Sequence, residues 1–491
     1  MSEPWADHSE THVSAVFLAG RYAYKQLKPL KNPFLDHSTL AKRKAGAELE
    51  VELNQRLAPD VYLGVSPVMD GDNVVDHLIV MQRLPAARRL STLAAAAAGT
   101  PSHDFDDCLR AVARAVAAFH AGLEPDAEAV EIAGVDRERQ RWHNNLDELA
   151  PLGPTVGIDD ETLSEIRWLA DSYLEHRDDL FEKRAAAGMA RDGHGDLLAD
   201  DIFCLDDGPR ILDCLAFDPG LRKGDVLADV AFLVMDIERL AGPRPAQRLL
   251  RWSQEFSDEH HPASLAHFYV AYRALVRAKV TAMRFNQTGD DDDRAQTQSV
   301  VAQCLDHLER ARPRLVRVGG GPGTGKSTIA EAVGEIMGWP VLNSDELRKD
   351  LVDHDHHAHA FAEPDQGIYR PEVTAATYAE LCAQAGQLLE HGESVVLDAS
   401  WAQHEHRASA RAVATSAAAA IIEIQCMLDP AVAKERIVRR MASPWTVSDA
   451  TPEIVDHFEH TSDPWPEAVH LDTSKPVLRC RSDAMKAVLG F

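Results

Sequence analysis

The sequence predicts two domains in tandem, an α+β domain followed by an α/β domain with a parallel sheet. Three observations carry this. At 491 residues the chain exceeds what one hydrophobic core organises. Its first stretch is strand-rich and then gives way to long helical patterns, the order expected of an α+β fold. From Arg314 the period changes: short apolar strands alternate with helical segments, which implies parallel strands covered by helices on both faces.

In the first domain, residues 13–19, 22–27 and 78–81 are β-rich, and Gly20-Arg21 supplies a hairpin turn. Residues 40–57 read as a charged amphipathic helix closed by Ala58-Pro59. Helical patterns dominate residues 104–254, broken at 191–217 by a strand-turn-strand region. Two more helices are expected over 268–284 and 296–312, with the acidic run 290–293 between them as a solvated loop. In the second domain, residues 315–318 form a strand, a glycine-rich loop follows, and 327–337 is helical. Further strands are expected at 340–342, 394–397 and 421–427. The domains are therefore bounded at 1–300 and 314–491, joined by a helical connector over 301–313.

A formal charge of −27 disfavours nucleic acid and anionic lipid as partners. The start lacks the basic and apolar regions of a secretory signal, and no apolar run approaches a bilayer span, so a cytoplasmic location without membrane attachment is expected. Seven cysteines without C-x-x-C spacing point to reduced thiols rather than a disulfide framework or zinc site.

Gly320-Gly321-Pro322-Gly323-Thr324-Gly325-Lys326-Ser327, followed by Thr328, matches G-x-x-x-x-G-K-[ST]. Glycines let backbone N–H groups curl around phosphate oxygens at a helix N-terminus. Lys326 is placed to reach the β- and γ-phosphates of ATP, and Ser327 to hold Mg²⁺. Next comes Asn343-Ser344-Asp345-Glu346-Leu347-Arg348, where Asp345 can accept a proton from a substrate hydroxyl and Arg348 can hold the acceptor. The alternative is that Ser344 and Asp345 only cap a helix. Asp398 ends an apolar strand in the manner of a Mg²⁺-supporting carboxylate. Arg436, Arg439 and Arg440 are either phosphate-clamping arginines or an ordinary basic helix face. The close spacing of His and Asp over 353–359 reads as a solvated segment rather than a metal site. On these motifs, residues 314–491 resemble the small-molecule P-loop kinases grouped with gluconate kinase, chloramphenicol phosphotransferase and the zeta toxins. That resemblance implies ATP, Mg²⁺ and a hydroxylated small-molecule acceptor.

The first domain carries His194-Gly195-Asp196, then Asp200-Asp201, then a hairpin returning to Asp213. This resembles the aminoglycoside phosphotransferase and choline kinase family, whose pattern is H-G-D-x-x-x-x-N followed by a strand ending in Asp. The resemblance implies a protein-kinase-like α+β fold over residues 12–300. It makes Asp196 the catalytic base, Asp201 and Asp213 Mg²⁺ ligands, Lys25 an α/β-phosphate ligand and Glu50 or Glu48 its partner. The family's Asn falls on Asp201, and the first glycine of the chain is Gly20, so no glycine-rich loop covers the phosphates. The expected protein is a bifunctional ATP-dependent kinase whose second, N-terminal site departs from the family pattern at these two places. Its rivals are a P-loop kinase with an N-terminal pseudokinase module and a non-kinase P-loop NTPase.

Overall fold

The strand-forming residues at the front of the chain assemble into one antiparallel sheet in the computed structural model, which describes residues 4–10, 13–31, 35–100, 102–352, 370–441 and 452–490. The strands are β1 (Ala6–Glu10), β2 (Ser14–Ala19), β3 (Tyr22–Leu27), β4 (Tyr62–Asp70) and β5 (Asn73–Gln82), in the order β1-β2-β3-β5-β4. β1 and β4 are additions to the sequence reading. β1 is exposed at every residue and so shows no apolar alternation. β4 contains Gly64 and Pro67 and two register shifts, which obscure its period. Helix α1 (Leu40–Asn54) starts at Thr39, whose hydroxyl accepts from Lys42 N. It buries Ala47 and Val51 against Ala23, Leu27, Ile79 and Met81 of the sheet.

The rest of this unit is mainly helical. It includes α2 (His103–Ala121), α3 (Val226–Ala241), α4 (Ala263–Thr288) and α5 (Asp291–Ala311). Residues 227–237 of α3 are all buried, making it a central helix. The acidic run corrects the sequence reading: Asp291, Asp292 and Asp293 are the first turn of α5 rather than a loop. Carboxylates are favoured at a helix N-terminus, and Asp293 is buried beside Arg284 at 3.1 Å. Two short antiparallel pairs, β6 (Ala190–Asp192) with β9 (Lys223–Asp225) and β7 (Ile202–Leu205) with β8 (Gly208–Ile211), frame the loops at 193–201 and 212–222.

Five parallel strands form the second sheet: β10 (Arg314–Gly319), β11 (Val341–Asn343), β12 (Val395–Asp398), β13 (Ala420–Met427) and β14 (Val469–Asp472), in the order β11-β12-β10-β13-β14. β14, with two polar residues in four, was not anticipated. Both faces are covered. Leu315, Val395 and Leu397 pack with Tyr378 and Leu381, while Val316, Val318, Val396 and Ile424 pack with Ile329 and Val333.

The chain divides into two compact units. One comprises 1–171, 181–261 and 265–309; the other comprises 310–491 with the short segments 172–180 and 262–264. The fold is thus an α+β unit built on a five-stranded antiparallel sheet and an α/β unit built on a five-stranded parallel sheet. Among the described residues no helix is long and apolar enough to cross a membrane.

Candidate active sites

The phosphate loop joins β10 to α6 (Lys326–Met337), and three of its glycines have positive φ. Gly323 shows why no other residue serves. Its φ is 80°, and a Cβ there would lie 2.6 Å from the carbonyl oxygen of Ala433. Thr324 Oγ1 donates to Gly321 O at 2.7 Å, and Thr473 Oγ1 donates to Thr324 O at 2.6 Å, so the loop is held from inside and from the residue after β14. Thr328, next in α6, is exposed.

Asp398 ends β12 and is almost fully buried. Burial raises its carboxyl above the ordinary value, opposed by the Lys326 ammonium and the Ser327 hydroxyl. Its Oδ2 accepts from Asn343 Nδ2 at 2.7 Å, and its Oδ1 has no hydrogen-bond partner. Helix α7 (Ser344–Leu351) carries Asp345 and Arg348. Asn343 caps it, rather than Ser344 or Asp345. Arg348 is buried and donates to Thr374 Oγ1 at 2.9 Å from α8 (Pro371–Glu390).

Lys326, Asp345 and Arg348 line one cavity of about 490 Å³ with Ser344, Ser400 and Pro322. The opposite wall holds residues that the sequence reading missed. Tyr378 stacks on His406 of α9 (His404–Ser416) with ring centroids 4.0 Å apart and planes at 2°. The Tyr378 hydroxyl lies 2.9 Å from Ser400 Oγ and accepts from Trp401 N at 3.1 Å. Gln403, His457 and Phe458 complete the wall. Residues from three helices and the end of β12 converge here, so no local spacing marks them.

Arg436, on α10 (Pro430–Met441), donates to Thr473 O at 2.9 Å, and its Nη1 would lie 3.7 Å from a Cβ on Gly325, beside the phosphate loop. Arg439 is exposed. The side chain of Arg440 and the segment 353–359 lie outside the described residues.

In the first unit, Lys25 Nζ on β3 lies 2.8 Å from Glu50 Oε1 on α1 and 2.6 Å from Asp213 Oδ1. Glu48 is exposed and pairs within its helix with Lys44. Burial would lower the Lys25 ammonium, but Asp213 and Glu50 outweigh it and raise it well above the ordinary value. Lys25 in turn holds the Asp213 carboxyl below its usual range.

The Asp213 loop is fixed by the end of α1 and by β4. Asn54 Oδ1 accepts from Cys214 N at 2.9 Å, and Tyr62 OH accepts from Asp213 N at 3.3 Å, with Asp213 at φ 62°. The His194-Gly195-Asp196 loop is organised by Asp229 of α3, which accepts from His194 N at 2.6 Å and Gly195 N at 2.8 Å. This approach requires Gly193, where a Cβ would come within 2.2 Å of Asp229 Oδ2. Asp196 is pushed up to about 6, by burial and then by the nearby Asp213. Asp201 is also raised, by burial and by Asp213 and Asp196.

Asp196 opens on a cavity of about 490 Å³ whose walls include Asn145, Phe217, Tyr269 and Tyr272. A smaller space of about 160 Å³ adjoins Lys25, Glu50 and Asp213. β2 and β3, the hairpin that carries Lys25, are joined by two residues only, Gly20-Arg21.

A family profile described as AAA domain matches residues 315–464. Across nearly the whole chain the protein is 37% identical, over 476 residues, to the uncharacterized protein Rv2004c of Mycobacterium tuberculosis and to the uncharacterized protein Mb2027c of Mycobacterium bovis. The match covers 96% of this chain and 93% of each relative. The chain belongs to this mycobacterial-type two-unit family. The relatives therefore span both units. Among solved structures, a choline kinase from Cryptosporidium parvum matches 63% of the chain and 91% of its own at 9% identity and a TM-score of 0.40. A gluconokinase from Sinorhizobium meliloti matches 36% of the chain and 93% of its own at 20% identity and a TM-score of 0.26.

Proposed function

We propose that this family member is an ATP-dependent phosphotransferase whose C-terminal unit transfers the γ-phosphoryl group to a hydroxyl of a small molecule. The observation that carries the reading is one shared cavity: the phosphate-loop cation Lys326 and the acceptor-side Asp345 and Arg348 face the same space, of a size that encloses a small molecule. Asp345 takes the proton of the acceptor hydroxyl as its oxygen bonds to the γ-phosphorus and the bond to the departing ADP oxygen breaks. Lys326 holds the charge that gathers on the β- and γ-oxygens, with Arg436 beside the loop. Arg348, anchored by Thr374, fixes the acceptor. Ser327 and Asp398 would hold Mg²⁺. Their hard oxygens suit it, and the orphaned Asp398 Oδ1 is an acceptor awaiting a donor or cation. The ion, when bound, neutralises charge on the β- and γ-phosphates.

A second kinase-like site in the N-terminal unit is favoured by the Lys25–Glu50 and Lys25–Asp213 pairs together with the acceptor-sized cavity at Asp196. Asp196 would serve there as base, and Asp201 and Asp213 as Mg²⁺ ligands. A non-kinase NTPase has no use for the acceptor cavity beside Lys326, which argues for transfer over bare hydrolysis.

The test is transfer of labelled phosphate from ATP to a panel of sugars, sugar acids and amino alcohols by the full chain. Lys326→Ala is expected to lower transfer by about 10²–10³-fold, the cost of removing one positioned electrostatic donor. Asp345→Asn is expected to lower it by about 10²-fold while leaving nucleotide affinity intact. Near-normal transfer in both variants would sink the assignment.

A further inference from the structure

Asn343 ends β11 directly opposite Asp398 of the neighbouring parallel strand β12, and its side chain faces two ways. Its oxygen accepts from the backbone N–H of Asp345 at 2.8 Å and of Glu346 at 3.2 Å, satisfying two of the unpaired donors at the start of α7. Its amide nitrogen donates to Asp398 Oδ2 at 2.7 Å. These partners leave one orientation of the amide. Turned over, the NH₂ would meet two N–H groups and the oxygen would meet a carboxylate.

Capping a helix needs only an acceptor, and a serine or threonine would provide it. The amide donor is surplus to that task. It is aimed at a buried carboxylate whose other oxygen is left without a partner, so Asn343 determines which Asp398 oxygen remains for the Lys326–Ser327 side. The same side chain fixes the first turn of the helix that presents Asp345 and Arg348 to the cavity.

We propose that Asn343 is a positioning residue that ties the Mg²⁺-side carboxylate of Asp398 to the acceptor-side helix of Asp345 and Arg348; this rests on the phosphotransferase reading of the C-terminal unit. With the bridge in place the two ends of the reaction hold one register. Without it Asp398 is free to turn, and its oxygens no longer face Ser327 in a defined way.

The experiment uses the full chain and a non-hydrolysable ATP analogue, with binding measured by calorimetry in Mg²⁺ and in EDTA. Asn343→Ser keeps a capping oxygen and loses the amide; Asn343→Thr is a second variant of the same kind should the first fold poorly. Expected for either is unchanged affinity in EDTA, an unchanged melting temperature, and a loss of about tenfold in the affinity gained on adding Mg²⁺, the scale seen when a partner of a metal-side ligand is removed. Asn343→Ala should show the same loss together with a lowered melting temperature, because the cap goes too. A full Mg²⁺-dependent gain in the cap-competent variants overturns the proposal. Lys326→Ala, run alongside, separates the failures. If it keeps normal affinity the phosphate-loop reading falls, whereas if it loses affinity while Asn343→Ser keeps the Mg²⁺ gain, only the bridge falls.

Discussion

The two proposed sites would hold phosphate by different physical means. In the C-terminal unit the triphosphate would meet backbone: a glycine loop whose N–H groups sit at the start of a helix, with Lys326 added. In the N-terminal unit the turn joining β2 to β3 is two residues long, and the site's cation, Lys25, is already bonded to Glu50 and Asp213. One site offers a glycine loop at a helix start together with Lys326. The other offers an internally balanced charge cluster, beside which burial and then the Asp213 carboxylate push Asp196 and Asp201 up. The types of residue at a site therefore say less about nucleotide affinity than the partners its cation already holds.

The largest expected consequence is in binding. The two-residue β2–β3 turn supplies no glycine loop, and a deficit of about two N–H to phosphate bonds at about 1.5 kcal/mol each would make the N-terminal unit bind Mg-nucleotide about a hundredfold more weakly than the C-terminal one. Calorimetry on Lys326→Ala should show only this weak phase, and Asp213→Ala in the same chain should remove it. Equal affinities would break the contrast, and no residual binding would make the N-terminal unit a pseudokinase.

A smaller effect concerns stability. Because the Asp196 carboxyl lies near 6 in the folded chain, above its ordinary value of 3.8, its charged form costs stability as the pH rises from about 4 through 6. Asp196→Asn should therefore raise the unfolding free energy at pH 7.5, by on the order of 1 kcal/mol after allowing for partial exposure, and the melting temperature with it, and the gain should vanish near pH 4. A gain independent of pH would remove the titration argument.

The finest distinction lies within α10. Arg436 reaches Thr473 beside the phosphate loop, whereas Arg439 is exposed. Arg436→Ala is expected to reduce transfer by about fivefold, and Arg439→Ala by less than about twofold, since an exposed charge is worth little. Initial rates on the two variants decide it, and equal losses would favour a shared clamp.

Legibility from the sequence followed how locally each feature is encoded. The phosphate loop was readable because glycine conformation, helix start and lysine lie within eight residues. The acidic run at 290–293 was misread because charge alone does not distinguish a solvated loop from the first turn of a helix, where carboxylates are also favoured. Glu50 and Glu48 were indistinguishable as partners for Lys25 until α1 packed on the sheet and turned one of them inward.

By itself the sequence determined two units, the parallel sheet behind its glycine loop, and the chemical types at both sites, because periodicity and turn chemistry act over neighbouring residues. Only the tertiary structure decided that Asn343 bridges Asp398 to α7, that Tyr378 stacks on His406 in the wall of the cavity beside Lys326, and that Lys25 is shared between Glu50 and Asp213. Those contacts join residues from separate strands and helices, and their geometry exists only once the sheets have set strand order and register.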